Sequence, residues 1–348
     1  MTRILLATST PDLENLVRRT TLGDASVELI GVARSGKDAV KMAGKLLPDI
    51  VAVELRDDGT AETVKEIMIT APTPVVMVAY QDGSHLGVMA SRALDSGALA
   101  VIPSPTASGT SLEKAAMEEK FLSTIKAMAQ VKVVRQWRKK GRGDHQRKEA
   151  PQPAANTQLA IVGIAASTGG PAAIRSILKD LSADFPAPIL VVQHMSNGFI
   201  EGVATSLNAT IALRVKVGAN GERLRPGTVY LAPDGYQLGV SGRSRLRVVD
   251  EDPIQGFKPS GSYLFGSIAR AFKDESLAVI LTGMGEDGTE GLRALHVAGG
   301  KVIAQDEESS VVFGMPKSAI AAGLVDFVLP LDDIAGKITA LTSGTHEP

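Results

Sequence analysis

Short apolar runs rich in β-branched residues alternate along the chain with stretches whose apolar positions recur every three or four residues. In the first third, residues 4–7, 28–33, 50–55, 75–79 and 100–102 read as strands, and 13–20, 36–46, 60–69 and 87–96 read as helices between them. Five β/α repeats at this spacing predict a parallel sheet covered by helices on both faces. The pattern breaks over residues 107–156. Thr110 and Glu113 form a capping-box signature, and the apolar positions that follow, including Leu112, Phe121, Leu122, Ile125 and Met128, give an amphipathic helix. A cationic stretch follows at 135–142 around Trp137, then Arg147-Lys148, and a polar Ala- and Pro-rich segment at 150–156. The basic run reads either as a solvated spacer or as a docking patch for an acidic surface with Trp137 as its apolar anchor. The organisation predicted is therefore 1–106, a linker over 107–156, and a second α/β unit over 157–348.

The second unit centres on Leu159 to Pro171. Its first half is a buried strand, and its second half is Ser167-Thr168-Gly169-Gly170-Pro171, opening a helix whose first turn suits Pro171. A hydroxyl thus lies on a tight turn beside the free N–H groups of a helix N-terminus, where a serine nucleophile would find oxyanion donors. The same turn also reads as a plain tight turn, or as a phosphate cradle lacking the Lys of a P-loop and the Gly-x-Gly-x-x-Gly order. A second strand at 187–194 ends on His194, a structural histidine or a base. A strand and hairpin are expected over 223–236, and antiparallel strands at 238–240 and 246–249 as an insertion beside the main sheet. A helix at 262–272 leads to a third buried strand at 277–281, which ends in Thr282-Gly283-Met284-Gly285-Glu286-Asp287-Gly288 before a helix at 289–298. Asp287 either caps that helix or orients a base. Ser, His and Asp after three apolar strands are the residue types of acyl transfer: an alkoxide, its base, and a carboxylate holding the base. Chain order alone does not bring them together.

Composition narrows the chemistry. The 348 residues carry a formal net charge of −1, which gives no global attraction to nucleic acid or to an anionic membrane. Cysteine is absent, so disulfides, thiolate catalysis and Cys-based metal sites are excluded. The five histidines never form an H-x-x-x-H pair, and no metal or organic cofactor is called for. The apolar N-terminal run is too short for a signal-peptide core, and nothing approaches a membrane span. A soluble cytoplasmic protein is expected, with no membrane insertion and no nucleic-acid partner.

The first unit resembles the receiver domain of two-component response regulators through Leu47-Pro48-Asp49-Ile50, Thr73-Pro74-Val75-Val76 and Ser96-Gly97-Ala98. That resemblance implies a flavodoxin-like, five-stranded parallel sheet. The receiver chemistry is missing. Ala7 and Thr8 stand where receivers carry an acidic pair, Glu54 at the acceptor Asp, Ala79 at the Ser/Thr position and Ser104 at the Lys position. Phosphoryl transfer needs a carboxylate nucleophile, an oxygen-bound Mg²⁺ and balancing cations, and these substitutions together remove them. A pseudo-receiver is expected. Glu54 also reads as a fixed-charge mimic of a phosphorylated state, and Asp57 and Asp58 as a solvated turn.

Residues 159–341 resemble the catalytic domain of the chemotaxis protein-glutamate methylesterase, CheB. The matching phrases are Ala166 to Pro171, Gln193-His194-Met195, Tyr230-Leu231-Ala232-Pro233, Leu281 to Gly288, and Val311 to Pro316. The resemblance implies a doubly wound, mostly parallel α/β domain with Ser167 as nucleophile, His194 as general base and Asp287 as orienting carboxylate. Thr168, Met284, Gly169 and Gly170 would line the oxyanion site. It implies hydrolysis of glutamate γ-methyl esters, and deamidation of glutamines, on the cytoplasmic helices of methyl-accepting chemoreceptors. A histidine kinase of the chemotaxis type, or another docking protein, is the further partner implied. A non-catalytic receptor-binding regulator, or the same esterase in a chemotaxis-like pathway such as pilus control, are the alternatives.

Overall fold

The computed structural model describes residues 1–56, 59–79, 84–104, 110–131, 133 and 159–343. The basic run, Trp137, the polar segment at 150–156 and the Asp57–Asp58 turn lie outside them.

The first unit runs β1 (Thr2–Ala7), α1 (Pro11–Leu22), β2 (Val27–Ala33), α2 (Gly36–Leu46), β3 (Ile50–Leu55), α3 (Gly59–Thr70), β4 (Val75–Ala79), α4 (Ser84–Asp95), β5 (Ala100–Pro103) and α5 (Ser111–Ala129). All pairings are parallel, in the order β2-β1-β3-β4-β5. This is the flavodoxin-like order, in which the strand direction of travel reverses at β1. β3 is buried along its whole length, as a strand with helices on both faces must be. One apolar layer joins Leu5, Val53 and Met77 to α2, α3 and α4, and the other joins Leu6, Ile50 and Val76 to α1 and α5. The helix expected at the head of the linker packs on this second layer through Phe121, Ile125 and Met128, and Glu118 pairs with Arg19 of α1 at 2.6 Å.

The second unit runs β6 (Ile161–Ala166), α6 (Gly170–Leu178), β7 (Ile189–Gln193), α7 (Ile200–Asn208), β8 (Arg214–Val217), β9 (Thr228–Leu231), β10 (Gln237–Ser241), β11 (Arg245–Val249) and α8 (Gly261–Phe272). It continues with β12 (Ser276–Ile280), α9 (Thr289–Val297), β13 (Lys301–Gln305), α10 (Met315–Ala321), β14 (Phe327–Leu329) and α11 (Leu331–Ser343). Seven strands form one parallel sheet in the order β14-β13-β12-β6-β7-β9-β8, and β10 and β11 form a separate antiparallel hairpin. Of the strand and hairpin expected over 223–236, the strand is present as β9 and the hairpin is corrected. Residues 228–231 are an interior strand of the main sheet, parallel to both β7 and β8, and all four are buried. Arg223 contributes only a single antiparallel bridge, to Arg245.

Chain travel sets where a site can form. From β6 the chain moves through β7 to the β9–β8 edge, then returns at β12 on the other side of β6. The crevice beyond the carboxyl ends of the strands at such a reversal is where open α/β sheets bind ligands.

The two units pack on each other at that same end. Helices α4 and α7 cross with Gly87 against Gly202, so close that a Cβ on Gly202 would lie 2.1 Å from the Gly87 carbonyl carbon. Arg175 of α6 reaches across, its Nε donating to Asp95 Oδ1 at 2.7 Å while Nη2 donates to Ser206 Oγ at 2.9 Å. Burial pushes the Asp95 carboxyl above its usual range, against the pull of Arg175. A Gly202→Leu substitution should pry the helices apart. Hydrogen exchange at Ser84–Asp95 and Ile200–Asn208 is expected to accelerate while β6 and β12 keep their protection; unchanged exchange in both helices would show that the crossing is not what joins the units.

Candidate active site

Strand register brings the site together. β6 lies between β7 and β12, with Ala166 paired to Gln193 and Ala165 to Ile280. Ser167 and His194 are therefore each the first residue past a paired strand end. The backbone continues the match: His194 N–H donates to Ala166 O at 2.9 Å, and Ser167 N–H donates to Thr282 O at 3.0 Å. Ser167, His194 and the loop bearing Asp287 emerge side by side from the middle of the sheet.

The turn after β6 needs glycine. Gly169 has φ +77°, the left-handed region, and a Cβ there would lie 2.7 Å from Val311. Beneath this turn lies a residue that sequence reasoning did not single out. Gln193 is buried at the end of β7, and its Nε2 donates to both Ser167 O and His194 O at 2.8 Å. One amide thus ties the serine turn to the histidine turn. Gln193 stands inside the phrase Gln193-His194-Met195, but a buried amide of this kind has no pattern of its own in a single sequence.

Asp287 is fully buried, and its Oδ2 lies 2.9 Å from His194 Nε2. The approach is off-axis for a linear hydrogen bond, and His194 Nδ1 is likewise buried without a hydrogen-bond partner. The carboxylate does not cap the helix that follows it. It sits at the N-terminus of α8, accepting from Ser260 Oγ at 2.8 Å, Gly261 N–H at 2.6 Å and Ser262 N–H at 3.2 Å. Ser260 is the N-cap of α8, and Ser262 Oγ accepts from Gly288 N–H at 2.9 Å. The free N–H groups of a helix start favour a negative charge. Burial pushes the Asp287 carboxyl up, but His194, Ser260 and the Gly261 N–H together outweigh it and hold the group below the usual carboxylate range. One face of the His194 ring stacks on Phe257, with centroids 4.6 Å apart and planes 14° from parallel.

Among the expected oxyanion residues the backbone separates two pairs. Gly170 N–H donates to Ser167 O at 2.9 Å and Gly169 N–H to Leu99 O at 3.4 Å, so both are engaged. The N–H groups of Thr168 and Met284 make no hydrogen bond to the described residues. Met284 is also exposed, on the lip of the site.

The positions expected to be degenerate for receiver chemistry also meet at one sheet edge. Ala7, Thr8, Glu54, Ala79 and Ser104 are all buried at or just past the ends of β1, β3, β4 and β5. Both carboxylate oxygens of Glu54 are taken up internally, by Thr8 Oγ1 at 2.5 Å and Thr10 Oγ1 at 2.6 Å. No cluster of three or more His, Asp or Glu suited to a metal ion occurs among the described residues. The first unit lies over the edge that carries Ser167 and His194. Ser196 Oγ donates to Val101 O at 3.0 Å, Met195 and Phe199 pack into one apolar layer of the first unit, and Val311 packs against the other.

The family model of the CheB methylesterase domain matches residues 162–338. The chain belongs to the CheB methylesterase family. A relative from Rhizobium meliloti, the protein-glutamate methylesterase/protein-glutamine glutaminase of group 3 operon, is 72% identical over all of this chain and 98% of its own length. Protein-glutamate methylesterase/protein-glutamine glutaminase 4 of Myxococcus xanthus is 43% identical over 99% of this chain and 98% of its own. The crystal structure of the Thermotoga maritima CheB methylesterase catalytic domain matches with a TM-score of 0.51 and 42% identity, covering 53% of this chain and all of that one. No helix among the described residues of this CheB-family chain is long and apolar enough to cross a membrane.

Because the folded Asp287 carboxyl ionises below its ordinary value, it stabilises the fold fully at neutral pH, and that contribution is lost as pH falls through the ordinary value toward the folded one. Asp287→Asn is expected to cost about 3 kcal/mol at pH 7, the scale for breaking a buried charge network. Thermal unfolding should show the gap to the unsubstituted protein closing below about pH 4, near the ordinary Asp pKa; a gap independent of pH would contradict the assignment.

Proposed function

We propose that this protein hydrolyses glutamate γ-methyl esters on the cytoplasmic helices of chemoreceptors, and deamidates glutamine side chains there, by a Ser167–His194–Asp287 mechanism. The observation that carries the reading is the delivery of all three residues to one sheet edge by the adjacent strands β12, β6 and β7, with His194 and Asp287 at 2.9 Å. Family membership supplies the ester-hydrolysis class, and the names of the relatives supply the substrate groups.

In this mechanism Ser167 Oγ attacks the ester carbonyl while His194 takes its proton. Nδ1, the ring nitrogen that does not face Asp287, is the acceptor. Asp287, held ionised by the α8 N-terminus, orients the imidazole and stabilises its charged form. The Thr168 and Met284 N–H groups, the two without partners, donate to the oxyanion. The C–O bond then breaks, His194 returns the proton to the departing methoxide, and methanol leaves. Water attacks the acyl-serine with His194 again as base, which frees the glutamate and restores Ser167. Gly169 and Gly170 shape the turn rather than donate.

Control by Asp phosphorylation is not part of this reading. Ala7 and Thr8 offer no metal-ligating carboxylates, Glu54 is satisfied by two threonines, and Ala79 and Ser104 replace the groups that would read a phosphate. The bonded state of Glu54 also argues against phosphate mimicry, since its charge points at Thr8 and Thr10 rather than toward β4 and β5. The pseudo-receiver instead limits access to the edge through the packing of Met195, Ser196 and Phe199. The resulting esterase runs at a basal rate until a docking protein shifts the pseudo-receiver.

Methanol release from methylated receptor fragments tests the reading. The full-length protein should release methanol without a phosphodonor, and Ser167→Ala should lower the rate by about 10³-fold or more, the scale for losing a triad member. Equal rates, or none from the full-length protein, would contradict it. Adding Mg²⁺ and a small phosphodonor should leave the rate unchanged; a rise that Glu54→Ala abolishes would restore phosphorylation control.

A further inference from the structure

The segment joining β11 to α8 is longer than a simple connection requires, and its route is pinned at several points. It turns back on itself at Gln255 and Gly256, with φ of +50° and +85°, and Ile254 and Phe257 exchange backbone hydrogen bonds at 3.1 and 2.9 Å across that turn. Two successive left-handed residues make the tight hairpin turn, and a glutamine in the first of them is held there by its surroundings rather than by preference. The surroundings include Gln237 of β10, whose side chain is fully buried. Its Nε2 donates to Asp252 O at 3.1 Å and Phe257 O at 3.4 Å, and its Oε1 accepts from Ser260 N–H at 2.9 Å.

This pinned segment touches both the base and its carboxylate. Ser260, at one end, donates to Asp287, and Phe257, three residues earlier, stacks on His194. The imidazole needs such support. Neither of its nitrogens has a linear hydrogen-bond partner, and Asp287 approaches Nε2 off-axis, so hydrogen bonding alone does not set the ring plane. A flat aromatic face 4.6 Å away does. A ring free to swing would present Nδ1 to Ser167 only part of the time, and catalytic geometry is sensitive to displacements of about 1 Å.

We propose that Phe257 is a positioning residue for the hydrolysis, fixing the plane of the His194 imidazole, and that Gln237 holds Phe257 at the required height. The β10–β11 hairpin thereby gains a role: it is the frame on which the segment carrying Phe257 and Ser260 is mounted. The inference rests on the Ser167–His194–Asp287 reading above.

The test compares Phe257→Ala, Phe257→Leu and Phe257→Tyr in the full-length protein with methylated receptor fragments, each variant first shown to keep the melting temperature of its second unit. Phe257→Ala should lower kcat about 10- to 100-fold with little change in KM, because the ring orients the base and does not bind the substrate chain. Phe257→Tyr, which keeps the flat face, should recover kcat to within about threefold, and Phe257→Leu, which keeps apolar bulk but no face, should not. Leucine restoring activity as well as tyrosine, tyrosine failing to restore it, or alanine leaving kcat unchanged would each overturn the inference. A Ser167→Ala control run alongside separates the two claims. An active control sinks the mechanism as a whole, whereas an inactive control beside indifferent Phe257 variants sinks only the positioning role.

Discussion

The parallel registration of β12, β6 and β7 is the constraint on which the rest of the structure depends. Strands paired in parallel end at the same level, so residues placed just past those ends are neighbours whatever their separation along the chain. Ala166 opposite Gln193 and Ala165 opposite Ile280 fix that level here. The three strands are wholly buried, so a register slip would turn apolar side chains out of two packed layers at once. The stability of the sheet interior thus also secures the geometry of its edge. Gln193 shows the link in one residue, since its backbone belongs to β7 and its amide clasps the carbonyls of Ser167 and His194.

Much of this was legible in the sequence, and for a physical reason. Buried parallel strands must be continuous apolar runs, so β1, β3, β4, β6, β7 and β12 announce themselves, and the Ser, His and Asp that interrupt the pattern stand out against it. What escaped was set by tertiary packing. Residues 228–231 pair in parallel with β7 and β8, a pairing that only the tertiary fold decides, and their Gly- and Pro-rich surroundings resemble a hairpin. That Asp287 serves the start of α8 and not its own helix could not be read from spacing, because Ser260 to Ser262 precede it by some 25 residues. Phe257 and Gln237 look like ordinary members of a loop and a hairpin until the fold places them against the site.

The first unit is a five-stranded parallel sheet with an apolar layer on each face. Its sheet order is flavodoxin-like, and Glu54 at the carboxyl edge is held in contacts with Thr8 and Thr10. Two threonine hydroxyls satisfy that carboxylate. The same unit is bound to the catalytic half through the Gly87–Gly202 crossing and the Arg175–Asp95 pair, and it covers residues next to His194. Under the proposed mechanism, packing at this interface sets access to the edge.

The central claim is that Ser167 forms a covalent bond with the substrate acyl group. The direct measurement is acid quenching within the first turnover on a methylated receptor fragment, followed by peptide mass mapping of the protein. The account predicts an adduct on the Ser167 peptide with the mass of the substrate less methanol. Methanol release with no adduct at Ser167, or with one on another residue, would contradict it.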